Sequence, residues 1–126
     1  MKKGKFSIQH RIHSFSNAFR GIYLVVCDEH NAWIQIAAAI CAVVAGILLK
    51  ITPGEWTAVV ISAGFVLALE MANTAIERLA DFVSPERQDL IKTVKDISAG
   101  AVLTGAITAL VVGLIIFLPK IIHVIF

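Results

Sequence analysis

The chain has 126 residues, 58% of them hydrophobic and only 16% charged, with a mean hydropathy of +0.84. That is too apolar for a soluble domain of this size, and one typical domain of roughly 100–200 residues leaves room for a single compact unit and none for a large soluble catalytic fold. Eleven Lys/Arg against nine Asp/Glu leave a formal charge of +2, too small to imply a nucleic-acid partner, so the charges matter through their placement.

The N-terminus opens Met1-Lys2-Lys3-Gly4-Lys5 and then alternates polar and apolar residues through Arg20. A signal peptide would place an uninterrupted apolar core directly after the basic residues, so no cleavage is expected. Ile8, Ile12, Phe15, Phe19, Ile22 and Val26 recur at helical spacing, with Lys5, Arg11 and Arg20 off the stripe. This predicts an amphipathic helix over about residues 6–27, lying on the membrane surface.

Three membrane spans follow. His30 to Leu49 contains no Asp, Glu, Lys or Arg and sets the first, about residues 30–49. Thr52-Pro53-Gly54-Glu55 reads as an N-cap, a first-turn proline and a capping-box glutamate, so the chain turns after Lys50 and starts a new helix. The second span covers about residues 56–80, uncharged from Trp56 to Leu69 and then interrupted by Glu70, Asn73 and Glu77. Ser84-Pro85 looks like a second cap-and-proline device, predicting a short helix over Glu86 to Val94 that runs into the last span near Lys95. Ile97 to Leu118 is uncharged throughout and meets the roughly 20 residues needed to cross ~30 Å of hydrocarbon, giving a third span of about residues 96–118.

The predicted fold is therefore all-α integral membrane: one surface helix plus three transmembrane helices. Basic residues set its orientation. Lys2, Lys3, Lys5, Arg11 and Arg20 precede the first span and Arg78, Arg87, Lys92 and Lys95 lie between the second and third, against Lys50 and Lys120 on the other side. The positive-inside rule then places the N-terminus and the 78–96 connection in the cytoplasm. Small residues recur every fourth position at Ala38, Ala42 and Gly46 and at Ala101, Gly105, Ala109 and Gly113, which favours close helix packing in lipid and predicts a homo-oligomeric bundle.

Cys27 and Cys41 are the only cysteines and are expected to be free thiols. His10, His13, His30 and His123 show no paired metal-ligand spacing and read as interfacial. No phosphate-binding glycine loop or hydrolase motif of a common soluble fold is present.

A carboxylate near the middle of a span costs ~2.5–3.5 kcal/mol on insertion scales, which makes Glu70 a functional candidate. Glu70, Asn73 and Glu77 fall within an arc of about 60° on one helical face and line one wall. Interhelical hydrogen bonding alone would not need two glutamates that repel one another. Two carboxylates on one wall want cations: Glu77 and Glu29, at the mouth of the first span, are candidate Mg²⁺ ligands, because Mg²⁺ is held by one or two carboxylates plus substrate phosphates. Lys95, beside Asp96 at the start of the third span, is a candidate counter-charge for phosphate. Together these residues form a phosphoryl-transfer inventory at lipid-headgroup level. The reading from a different class is a small oligomeric transporter or channel, in which the same glutamates pass a cation without ATP consumption.

At Glu70-x-x-Asn73-Thr74-Ala75-Ile76-Glu77, followed by Lys95-Asp96-x-x-Ala99-Gly100-Ala101-Val102, the chain resembles the bacterial integral-membrane diacylglycerol kinase family. The likeness covers nearly the whole chain, including Ser14-Phe15-x-x-Ala18-x-x-Gly21-Ile22 and Glu29-x-Asn31. Asn31, Ser84-Pro85-Glu86, the Ala99–Val102 stretch and Ile116-Phe117-Leu118-Pro119-Lys120 look more like its undecaprenol kinase branch. The resemblance implies a homotrimer with active sites shared between neighbours in the bacterial plasma membrane, using MgATP to phosphorylate a lipid alcohol. It implies Glu70 as general base and Asn73 as its support, Glu29 and Glu77 on the metal, and Lys95, Asp96 and Glu86 on the nucleotide; Arg87 is added here as a phosphate contact. The chain departs from the family pattern at His10, where an arginine is common, and at Asn17 and Gly113, where the diacylglycerol branch has aromatic contacts. Those departures bear on the nucleotide ring and the lipid, leaving the acceptor open between undecaprenol and diacylglycerol.

Overall fold

The computed structural model describes residues 7–126 and holds four helices: α1 (Ile8–Asp28), α2 (His30–Leu49), α3 (Pro53–Val83) and α4 (Asp89–Ile125). Lys2, Lys3 and Lys5, counted above for orientation, lie outside the described residues. Three of these helices, α2, α3 and α4, are long and apolar enough to cross a membrane.

Ser7 caps α1, its hydroxyl accepting the His10 N–H at 3.3 Å. Of the stripe on this helix, Ile8, Ile12, Phe15 and Phe19 stay exposed, as a helix lying on a lipid surface requires, and Val25 near its end is the one buried residue. The joint to α2 is a single residue. Glu29 adopts an extended backbone (φ −105°, ψ 118°), and the Trp33 indole N–H reaches back to the Val26 carbonyl.

At the other end of α2, Lys50 takes a left-handed conformation (φ 54°). The Lys50 N–H bonds the Ile47 carbonyl and the Ile51 N–H the Gly46 carbonyl, which satisfies two of the helix's terminal acceptors. The tight turn depends on Gly46, where an added Cβ would lie 2.7 Å from the Trp56 ring and 3.0 Å from Ile51. Helix α3 then starts with the expected capping box: Thr52 Oγ1 accepts the Glu55 N–H (3.2 Å) and Glu55 accepts the Thr52 N–H (3.0 Å), with Pro53 in the first turn. Lys120 of α4 closes this turn end by pairing with Glu55 at 3.1 Å.

The connection between α3 and α4 differs from expectation. Ser84 ends α3, its N–H bonding the Ala80 carbonyl, and its hydroxyl donates to the Glu86 carbonyl at 3.0 Å. Ser84 thus serves as the C-cap of α3, and the N-cap position of the next helix falls at Gln88. No separate helix covers Glu86 to Val94; residues 84–88 form a loop, and α4 begins at Asp89 and runs without interruption past Pro119 to Ile125. At 31 and 37 residues, α3 and α4 span about 46 and 55 Å at 1.5 Å per residue, well beyond a ~30 Å hydrocarbon core. The excess at the loop end carries Arg78, Asp81, Lys92 and Lys95.

Helix α3 is central, packing antiparallel to α4 along its length and less extensively to α2. The two halves of the bundle are built differently. Toward the turn end the core is apolar, with Ile51, Val59 and Ile116 buried against Ala42, Trp56, Val112 and their neighbours. Toward the loop end the buried residues include Glu70, Asn73, Thr74 and Ser98. Between the halves, Gly105 of α4 meets Leu69 of α3 so closely that an added Cβ would lie 2.5 Å from Leu69 Cδ1. Gly105→Val should therefore lower stability by ~1–3 kcal/mol, the usual cost of overpacking. Gly64→Ala, where an added Cβ meets nothing within 4 Å, should keep or raise it. Thermal unfolding of the two variants in one detergent, followed by circular dichroism, checks both expectations.

Candidate functional site

Glu70 sits where the apolar half of the bundle gives way to the polar half. It is 1% exposed, the most completely buried large side chain among the described residues. An isolated carboxylate in such surroundings is costly, and α2 supplies the partner: Gln35 Nε2 donates to Glu70 Oε2 at 3.2 Å. Asn31, one turn earlier on α2, faces the same carboxylate, and the charges of Glu29 and Glu77 lie near enough to act on it. The α1–α2 joint and the face of α3 thus bring three glutamates from two parts of the chain into one neighbourhood.

One turn along α3, Asn73 is buried and links two helices. Its Oδ1 accepts the Ser98 hydroxyl of α4 at 2.7 Å and its Nδ2 donates to Glu77 Oε1 at 3.4 Å. A single amide thereby locks α3 to α4 and orients Glu77. Glu77 and Glu29 are half-buried, suited to meet a hydrated ion while remaining fixed. Two buried side-chain atoms in the same region, Gln35 Oε1 and Thr74 Oγ1, have no hydrogen-bond partner among the described residues.

A second set of predicted residues gathers at the loop end. Glu86, Arg87 and Lys95 line a cleft of about 280 Å³ together with Asp81, Gln88 and Lys92. Lys95 pairs with Asp81 across the α3–α4 hairpin. Asp96, which does not line the cleft, pairs with Lys92, one turn earlier on α4, at 2.7 Å. The candidate residues therefore divide into a deep group (Glu70, Asn73, with Glu29 and Glu77 above it), a cleft group (Glu86, Arg87, Lys95) and Asp96 on the exposed flank.

Sequence reasoning passed over Gln35, Thr74, Ser98 and Asp81. Gln35 was visible as a polar residue in an apolar run, one turn after Asn31, and Ser98 stands three residues after Lys95 on the same helix; only the pairing of helices shows what they touch. The donor set fits a magnesium ion. Among the described residues no three acidic, imidazole or thiol side chains cluster to hold a metal by themselves, and two carboxylates leaving other positions to water and phosphate are what Mg²⁺ commonly takes from a protein.

Comparison with known proteins identifies the family. Residues 16–117 match the family model for prokaryotic diacylglycerol kinase. The chain is 37% identical over 107 residues to the undecaprenol kinase of Bacillus subtilis (strain 168), covering 85% of this chain and 87% of that protein. It is 32% identical over 107 residues to a diacylglycerol kinase of Synechocystis sp., covering 84% of this chain and 61% of that one. A diacylglycerol kinase of Helicobacter pylori (strain 26695) is 27% identical over 110 residues, covering 81% and 85% respectively. With apolar helices long enough to span a bilayer and a match over most of its length, the chain belongs to the prokaryotic diacylglycerol kinase family of membrane lipid kinases.

Proposed function

We propose that this kinase transfers the γ-phosphate of MgATP to the hydroxyl of undecaprenol, working at the cytoplasmic face of the bacterial plasma membrane. The observation that carries the reading is the burial of Glu70 at membrane depth, hydrogen-bonded to Gln35, below a cleft lined by Glu86, Arg87 and Lys95. A transport role would leave that cleft and its cations without a purpose. The likeness to the B. subtilis undecaprenol kinase, and the Asn31 and Ser84-Pro85-Glu86 features of this chain, favour undecaprenol over diacylglycerol.

In this mechanism the lipid enters laterally and presents its hydroxyl to Glu70, which accepts the proton as the oxygen bonds to the γ-phosphorus and the bond to the β,γ-bridging oxygen breaks, releasing ADP. General-base help of this kind contributes ~10²–10⁴ in rate. Gln35 holds the Glu70 carboxylate in place, and the unpartnered Gln35 Oε1 and Thr74 Oγ1 are suited to polar groups of the incoming reactants. Asn73, fixed by Ser98, orients Glu77. Glu29 and Glu77 would hold Mg²⁺, whose contribution is to offset charge on the phosphates. Lys95 and Arg87 add to that offset from the cleft, with Glu86 toward the nucleoside and Asp96 joining it on release from Lys92, so most of the rate comes from positioning and electrostatics. The assembly belonging to this proposal is a homotrimer with sites completed between neighbours. Its support is the apolar surface each chain leaves open, including Leu103, Ile107 and Leu110 of α4, and the open space beside Gly100 and Gly113.

Purified protein in mixed micelles with γ-labelled ATP and Mg²⁺ should label undecaprenol in preference to diacylglycerol. Preferred labelling of diacylglycerol would reverse the acceptor, and no labelled lipid from folded protein would overturn the reading. Glu70→Gln should lower turnover by about 10² or more while nucleotide binding persists. Ser98→Ala strands the buried Asn73 oxygen, at a cost of about 1–3 kcal/mol, and should lower both the thermal midpoint and the apparent affinity for Mg²⁺.

A further inference from the structure

Beyond the residues of the motif, the joint that carries Glu29 is tied to α3 by an ion pair between its immediate neighbours. Asp28, the last residue of α1, accepts from the Arg78 guanidinium at 3.3 Å. Asp28 precedes Glu29 and Arg78 follows Glu77, so the pair brackets the two candidate cation ligands. Both side chains are about half exposed, 55% for Asp28 and 53% for Arg78. A pair that wet adds little to stability, so folding does not account for it.

Its geometry gives it another use. Successive residues on α3 differ by about 100°, so Arg78 reaches sideways to the joint while Glu77 stays on the face of Glu70 and Asn73. The joint itself is one extended residue, α1 beyond it is buried only at Val25, and Glu29 caps α2 with no side-chain bond. Among the described residues its ties include the Glu29 N–H on the Val25 carbonyl, Val25 in the bundle, the Trp33 indole on the Val26 carbonyl, and the Asp28–Arg78 pair. The last is made to Arg78, beside Glu77 on α3.

We propose that Asp28 and Arg78 are positioning residues that set the separation of Glu29 and Glu77 for the divalent cation. The proposal rests on the reading that those two glutamates hold the ion. Neither Asp28 nor Arg78 touches the reacting atoms; the pair acts by pinning the α1–α2 joint to α3. Positioning and plain electrostatics predict opposite signs for one substitution. Removing Asp28 weakens cation binding either way, because a nearby negative charge goes. Removing Arg78 takes a positive charge away from a cation site, which by Coulomb's law alone tightens binding, whereas loss of the clasp weakens it.

The test is Mn²⁺ affinity, read by electron paramagnetic resonance on the full-length protein in detergent with a non-hydrolysable ATP analogue, so that no turnover is needed. Asp28→Asn and Arg78→Gln should each weaken Mn²⁺ roughly tenfold, the lower end of what partners behind a metal's ligands contribute. The exchanged pair, Asp28→Arg with Arg78→Asp, should recover most of the affinity. Unchanged or tighter binding in Arg78→Gln overturns the clasp, and so does an exchanged pair no better than either single variant. Glu77→Gln is measured alongside. If it leaves Mn²⁺ binding unaltered, the assignment of the metal ligands fails, separately from the clasp.

Discussion

A carboxylate at membrane depth must be given partners, and the loop-end half of this bundle is arranged to provide them for Glu70. Water cannot solvate it there, and among the described residues no lysine or arginine pairs with it. Its direct partner is neutral: the Gln35 amide, donating from the neighbouring helix. A neutral donor lowers the cost of burial without neutralising the charge, which suits the proton-accepting role proposed for this group. An ion pair at the same place would have satisfied the carboxylate more fully and made it a poorer base. The same constraint explains why the polar residues that surround it are themselves tied together. Asn73 is spent in both directions, on Ser98 and on Glu77, so the face of α3 presents its groups with little freedom to turn away.

Most of the architecture was legible before any coordinates. The apolar run from His30 to Leu49 is α2 to the residue, the Thr52–Glu55 capping box is present in both of its hydrogen bonds, and the apolar stripe from Ile8 to Phe19 is left facing outward. These features are local: they depend on spacing along one helix or on the chemistry of four successive residues. The Ser84-Pro85 pair misled for the same reason. A serine before a proline suits a helix start, yet it also suits a helix end, and which role wins depends on the Glu86 carbonyl that the hydroxyl finds. The site divided along the same line. Helical spacing on α3 put Glu70, Asn73 and Glu77 on one wall, while the roles of Gln35, Ser98 and Asp81 arise from which helix lies opposite, and that is set by packing at Gly46 and Gly105 rather than by any motif.

The pairing of α3 with α4 also explains why Lys95 and Asp96, adjacent in the motif, part company. On a helix they point about 100° apart. Lys95 meets Asp81 of α3 at the cleft, while Asp96 pairs with Lys92 on its own helix. Both are held by surface ion pairs, which are weak enough in water to be exchanged for stronger partners. A polyphosphate entering the cleft competes with Asp81 for Lys95 on favourable terms, since it offers several charges where Asp81 offers one.

Along α3 the charged groups follow an order that gives the proposed reaction its direction. Glu70 is deepest, Glu77 lies about 10 Å nearer the loop end, and Asp81, holding Lys95, about 6 Å beyond that, at 1.5 Å per residue. An acceptor confined to the bilayer reaches the first of these and a polyphosphate arriving through the loop-end cleft meets the last. The two glutamates proposed for the cation stand at the level between them. Since α3 is a continuous helix packed along its length against α4, these levels cannot drift relative to one another. The joint at Glu29 is not part of that rigid pair. It belongs to a surface helix that touches the bundle only near its end, so among the groups assembled here Glu29 has the least support from the packed core and the most need of a separate tie.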